Sequence, residues 1–263
     1  MEKPSSIWLR PERSARGPVP EHSRAEIARA AVTLADQGGL VAVTMRSVAA
    51  AIGTGPASLY RYVDTRDEIL ELMTDYVAGE YRFAPATPAT PATPATPATP
   101  ATPATPGGPV PGLLGLARQA RQIFARHPWL IDLTSAGRLP GPNAIAFTEQ
   151  VLAILGGTAL TSTERLETVG LFTGLVRLLA RAEADQRQAG QQLAQWQTAL
   201  GGYLFGVVAD GRHPYLAAAL ADQVSAPPAA TTTAGSSRSD DELFERTLTR
   251  ILTSLLGPAG SQV

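Results

Sequence analysis

The sequence predicts an all-α chain in two helical domains. Three observations lead there: apolar residues recur at helical spacing in nearly every ordered stretch, no stretch alternates with period two, and one proline-rich repeat divides the helical pattern in two. With 263 residues, 44% hydrophobic and 17% charged, the chain can bury a substantial core in each half.

Residues 1–22 contain four prolines and no apolar period, which predicts a flexible basic arm carrying Lys3, Arg10, Arg13 and Arg16. Such an arm either reaches a DNA minor groove through arginine or is a solvated tail. From Ser23 the pattern is helical. Ser23-x-x-Glu26 is a capping box, Ile27, Ala31 and Leu34 share one face, and Gly38-Gly39 ends the helix.

The stretch Val43 to Leu70 carries most of the information. Thr44 has the chemistry of an N-cap and Val48, Ala49 and Ile52 form a buried stripe behind it. Gly53-Thr54-Gly55-Pro56 then breaks the helix and restarts it, since glycine accepts positive φ and proline suits the first helical turn. Leu59 and Val63 keep the apolar period beyond the turn. Ser58, Tyr60, Arg61 and Tyr62 are left on the other faces, a polar and aromatic surface suited to a nucleic-acid groove. Thr65-x-x-Glu68 is a second capping box, opening a connecting helix that runs to about Tyr81, with Arg66 in its first turn. A helix N-terminus beside an arginine suits a phosphate twice over.

Thr44, Arg46, Gly53, Leu59, Tyr60, Tyr62 and Arg66 stand where the TetR family of bacterial transcriptional regulators has its signature residues, and the chain resembles that family closely from Ser23 to about Tyr81. Two departures, Val63 for an aromatic and Arg66 for a lysine, keep the apolar and cationic roles. The resemblance implies a three-helix helix-turn-helix DNA-binding domain. It further implies DNA contacts from Thr44, Arg46, Pro56, Ala57, Ser58, Tyr60, Arg61, Tyr62 and Arg66, with Arg61 as a base reader and Arg66 as a phosphate clamp.

From Pro85 to Pro106 the chain is proline followed by seven copies of Ala-Thr-Pro, so residues 84–108 read as a polyproline-type linker of about 3.1 Å per residue. A strut so slack cannot carry tension, and coupling between domains is expected through packing of the connecting helix instead.

Residues 109–257 return to helical patterns: Leu113 to His127, Asn143 to Leu155, a long helix from the Thr161-x-x-Glu164 box, Leu193 to Val208, a short Leu216 to Ala221 segment, and a last helix from Ser239 to Leu255. Residues 225–239 read as disordered, and the polar run Glu183 to Gln192 as a break. This domain is where the resembled family binds a small molecule and dimerises. Trp129, Phe147, Phe172 and Trp196 are the aromatics that could line a pocket, with plain core as the alternative for each. The Thr163 to Ala182 helix and the last helix carry apolar stripes wider than one packing face needs, which the resemblance implies join two subunits in a four-helix bundle.

Other classes are disfavoured. No cysteine and three scattered histidines give no metal spacing, no nucleophile has a plausible base, and the glycine turn does not follow a strand. No cofactor and no catalysis are expected. Without an 18-residue apolar run or a leader-like N-terminus, the chain is read as cytoplasmic with no membrane partner. The net charge of −1 confines any phosphate-binding charge to a few arginines. The functional expectation is a homodimeric repressor on a palindromic double-stranded operator, released by a small-molecule effector. The alternative is a dimeric small-molecule-binding module with little specific DNA binding.

Overall fold

The computed structural model describes residues 6–10, 12, 21–83, 108–133, 138–209, 211–225 and 236–257. The chain divides into two units, Met1–Ala180 with Leu252–Val263, and Arg181–Ile251. The Ala-Thr-Pro repeat, the bulk of the expected arm and most of the 225–239 insert lie outside the described residues.

Every regular element is helical among the described residues. Helix α1 (Arg24–Gly38) is capped by the Ser23 side chain, which accepts from the Glu26 N–H, and is closed by Gly39 at φ 69°. A 3-10 turn, Leu40–Ala42, leads to α2 (Met45–Ala51). There Thr44 Oγ1 accepts from the Ser47 N–H at 3.0 Å and Ser47 Oγ accepts from the Thr44 N–H at 2.9 Å, so the cap is reciprocal. Gly53 takes φ 76° at the turn, where any Cβ would be strained. Helix α3 (Pro56–Leu59) is four residues long, shorter than the expected recognition helix, and continues through Val63 as tight turns. Helix α4 (Arg66–Ala78) is capped by Thr65 as the sequence implies.

Helices α1 to α4 enclose Ile27, Ala31, Val48, Leu59, Ile69, Met73 and Val77, all essentially without solvent exposure. That core is larger than the three-helix unit. Ile7 from the N-terminal segment and Ile123, Trp129 and Leu133 from beyond the linker belong to the same cluster. Burying a side chain such as Ile7 is worth about 1.5–3 kcal/mol, which explains why this part of the arm is not free.

Helix α5 (Pro109–Arg126) starts four residues before the expected Leu113, because Pro109 and Pro111 occupy a first turn whose N–H groups have no helical partner. A short α6 (Trp129–Asp132), which periodicity is too coarse to reveal, precedes α7 (Pro142–Leu155). Helix α8 (Ser162–Val208) spans the polar run that reads as a break in sequence and is interrupted only at Gly190, φ 48°. Its first part supplies the buried Phe172, Val176 and Ala180 to the first unit. Helix α9 (Pro214–Ser225) is longer than expected, and α10 (Ser236–Leu256) begins three residues before Ser239.

Candidate nucleic-acid interface and the seam behind it

The residues expected on DNA lie on consecutive solvent-facing positions of α2, the turn and α3. Arg46, Pro56, Ala57, Tyr60 and Arg61 are exposed, Ser58 and Tyr62 are half-buried, and Leu59 and Val63 anchor the segment with no exposure. Thr44 is exposed, and its hydroxyl is engaged in the α2 cap. The Tyr62 ring meets His22 edge-on at 5.9 Å, which fixes it against the start of α1.

Arg66 is placed differently from a free clamp. Its Nε donates to the Val43 carbonyl at 2.8 Å and Nη2 to the Leu40 carbonyl at 2.7 Å. The guanidinium therefore ties α4 to the turn that precedes α2, adding a second donor to the Leu40 carbonyl, which also accepts from the Val43 N–H at 3.2 Å, and one to the Val43 carbonyl.

Behind this surface, α4 carries an acidic stripe that the sequence leaves pointing either away from the duplex or toward the partner domain. Glu68, Glu71 and Asp75 stand at i, i+3 and i+7, one face of one helix, and all three are buried. Each has an assigned partner. Glu68 Oε2 accepts from Arg10 Nη2 at 2.5 Å and from the Asp64 N–H at 2.7 Å, and Glu71 Oε2 accepts from Ser6 Oγ at 2.7 Å. Asp75 Oδ1 accepts from the Asn143 and Ala144 N–H groups at 2.9 and 3.0 Å, and Oδ2 accepts from Asn143 Nδ2 at 3.0 Å. Asp75 of α4 thus caps the N-terminus of α7, a cap supplied from 68 residues away in sequence. Burial raises its pKa, and the two backbone N–H bonds and the Asn143 amide oppose that rise.

A second tie lies at the far end of α4. His127, buried at the end of α5, places Nδ1 2.7 Å from Asp36 Oδ1 and Nε2 3.0 Å from Glu80 Oε1. Trp129 Nε1 donates to the same Asp36 oxygen at 2.7 Å, and Arg126 pairs with Glu80 at 2.7 Å. Two carboxylates flank one imidazole, and both contacts are hydrogen bonds when both ring nitrogens carry hydrogen. Helices α1 and α4 are joined here to the α5–α6 corner. The Gln119 side chain adds a pair of bonds to the Arg82 backbone, 2.7 Å from its N–H and 3.1 Å to its carbonyl.

The four aromatics named for a pocket do not share one environment. Trp129 is a core residue bonded to Asp36, Phe147 packs on Tyr81 with ring centres 4.6 Å apart, Phe172 is buried in the first unit, and Trp196 belongs to the second unit, 59% exposed. A polar cleft of about 560 Å³ opens elsewhere, lined by Glu80, Arg82, Gln119, Gln122, Ile123 and Arg126, and it contains none of the four. Trp129 was a candidate because aromatic and isolated residues look alike in sequence; its Nε1 partner lies 93 residues away. The described residues contain no group of three or more side chains able to hold a metal ion, and no described helix is long and apolar enough to cross a membrane.

Residues 27–73 match the family of bacterial regulatory proteins, tetR family, and residues 110–256 match the tetracyclin repressor-like C-terminal domain. Among curated relatives, the HTH-type transcriptional repressor DrrR1 of Streptomyces coeruleorubidus is 31% identical over 215 residues, 80% of this chain and 73% of that one. An HTH-type transcriptional regulator of Saccharopolyspora erythraea is 29% identical over 194 residues, covering 73% and 74%. Among solved structures, the Streptomyces coelicolor TetR family protein ActR in complex with actinorhodin superposes with a TM-score of 0.66 at 26% identity, over 92% of this chain and 99% of that one.

Proposed function

Because the chain belongs to the TetR family of bacterial transcriptional regulators, and so to DNA-binding regulators rather than enzymes, we propose that it is a cytoplasmic repressor that binds a palindromic operator as a homodimer and leaves it when a small molecule occupies the C-terminal region. The one relative above that is named a repressor, DrrR1, supports the direction of control. The observation that carries the switching mechanism is the Asp75 cap. A ligand that shifts α7 must either take α4 with it or break the cap, and α4 begins directly behind the recognition turn at Asp64–Thr65.

In this reading Arg46, Pro56, Ala57, Ser58, Tyr60, Arg61 and Tyr62 meet the major groove, with Thr44 and the start of α4 at the backbone. Arg61 pairs with a guanine edge, worth about 1–3 kcal/mol of discrimination. Leu171 and Leu178 of α8, 56% and 65% exposed and seven residues apart, supply part of an intersubunit face. A twofold dimer places half-site centres roughly 34–36 Å apart.

The test is selection of duplexes from a random pool by the full chain, followed by binding at increasing salt and with actinorhodin, the molecule bound in the ActR structure, as the first effector probe. Twofold-symmetric sites, a steep salt dependence and a dimer on DNA are expected. Absent or salt-insensitive binding would leave the small-molecule module as the function.

A further inference from the structure

The N-terminal segment is the part of the molecule that the family resemblance does not explain. It precedes the matched residues 27–73, and the sequence leaves it either an arm for DNA or a solvated tail. The structure puts Ser6–Arg10 along the buried acidic face of α4 instead. Ile7 has no solvent exposure, Ser6 caps the short 3-10 turn Ile7–Leu9 and donates to Glu71, and Arg10 spans Asp64 and Glu68. Arg24 at the start of α1 donates to the Arg10 carbonyl at 2.8 Å, which fastens the same residue from a third side.

The other end of the contact reaches α7. A Cβ added at Gly141 would overlap the Asp75 carboxylate and stand 2.5 Å from Trp8 Cζ2. Trp8, Asp75 and the residue before α7 therefore meet at one point, and only a glycine leaves room there. Three tethers follow from five residues: to the end of the recognition turn at Asp64, to the middle of α4 at Glu71, and to the cap of α7 at Gly141.

We propose that Ser6–Arg10 is an internal strap, in which Arg10 and Trp8 are positioning residues that hold the recognition turn and the start of α7 on one face of α4 without touching DNA. The proposal rests on the chain being a DNA-reading regulator. Its chemistry is specific. Arg10 bridges two carboxylates with two different nitrogens, a geometry that a lysine cannot reproduce with its single ammonium. An arm that contacts phosphate releases a counterion on binding and a strap does not, so the two roles separate in the salt slope of the variants.

The experiment measures binding of a duplex enriched by the wild-type full chain, as a function of salt, for Arg10→Ala, Arg10→Lys, Trp8→Ala and the Arg10→Ala/Trp8→Ala double variant. The strap predicts that Arg10→Ala and Arg10→Lys each weaken binding at least about five-fold while the slope of log K against log salt stays at the wild-type value, because no phosphate contact is lost. Trp8→Ala, at the Gly141 end of the strap, weakens binding similarly, and the double variant is no worse than the weaker single because one strap is cut twice. A slope reduced by about one in Arg10→Ala, wild-type binding by Arg10→Lys, or no effect of Trp8→Ala would each overturn the strap. If the wild-type chain enriches no duplex, the regulator reading fails and the strap fails with it; if it does and the variants match it, only the strap fails.

Discussion

Replacing Asp75 by alanine removes its side-chain bonds to α7 and leaves the one from Asn143 Nδ2 to the Asp75 backbone carbonyl at 3.1 Å. Two backbone N–H groups of α7 at 2.9 and 3.0 Å lose their acceptor in a part-buried place, and the Asn143 side-chain amide loses one of its two, the carboxylate oxygen at 3.0 Å. Loss of an N-cap costs about 1 kcal/mol and loss of a further bond to a charged acceptor about 1.5–3. Against this, alanine removes a carboxylate whose charge burial disfavours, which offsets part of that loss. A loss of about 2 kcal/mol is roughly thirty-fold in the unfolding equilibrium of the first unit and about 4–8 °C in its melting temperature. Amide exchange at Asn143 and Ala144 reads the same event locally, and both amides should exchange faster in Asp75→Ala. Asp75→Asn keeps one acceptor oxygen for the two N–H groups but turns its own amide toward the Asn143 amide, so its loss falls between wild type and alanine. The pH dependence has a definite sign. A carboxyl whose folded pKa is raised favours folding most below its unfolded value near 3.8, and that contribution fades as pH rises through the folded value. The stability of the wild type relative to Asp75→Asn should therefore fall as pH rises across that window. Unchanged amide exchange in Asp75→Ala, or a difference that widens with rising pH, would refute the reasoning.

Four further outcomes are expected. Arg61→Ala should weaken binding to the enriched duplex by about 1–3 kcal/mol and relax the preference at one base pair, read by competition with single-base variants of the site. Arg66→Ala should lower the melting temperature, since the Val43 carbonyl loses its Arg66 donor while Leu40 keeps the Val43 N–H, a cost of about 1 kcal/mol; a variant of wild-type stability with a smaller salt slope would instead make Arg66 a phosphate clamp. Gly141→Ala should cost about 1–3 kcal/mol by overpacking against Asp75 and Trp8, and pairing it with Trp8→Ala should recover part of the loss in a denaturation cycle. His127→Ala removes the imidazole between Asp36 and Glu80, leaving them Trp129 and Arg126 as partners, and should loosen the α5–α6 corner, seen as faster amide exchange in α6 with α2 and α3 unchanged.

The helix-turn-helix was legible because its determinants are local. Ser23, Thr44 and Thr65 cap helices through residues three positions away, and Gly53 and Pro56 set a turn through their own backbone chemistry, so neighbours in sequence suffice. Helix ends beyond the linker were less legible, since Pro109 and Pro111 precede the apolar period that starts at Leu113, and the polar run Glu183 to Gln192 reads as a break although the helix continues through it to Gly190. Whether an aromatic belongs to core or to a pocket is not a local property of the chain. A tryptophan in a core and one in a pocket differ only in what stands opposite, and for Trp129 that is Asp36.

By itself the sequence determined an all-helical chain, the helix-turn-helix from Thr44 to Val63, the place of α4 behind it, and the family, because caps, turns and apolar periods are short-range properties of the chain. Only the tertiary structure decided what the buried acids of α4 do and what the N-terminal segment is. Glu68, Glu71 and Asp75 are charges on one helix face in the sequence; they become ties because Arg10, Ser6 and the start of α7 fold onto that face. Burying a carboxylate is unfavourable until specific donors reach it, and those donors lie 58 to 69 residues away.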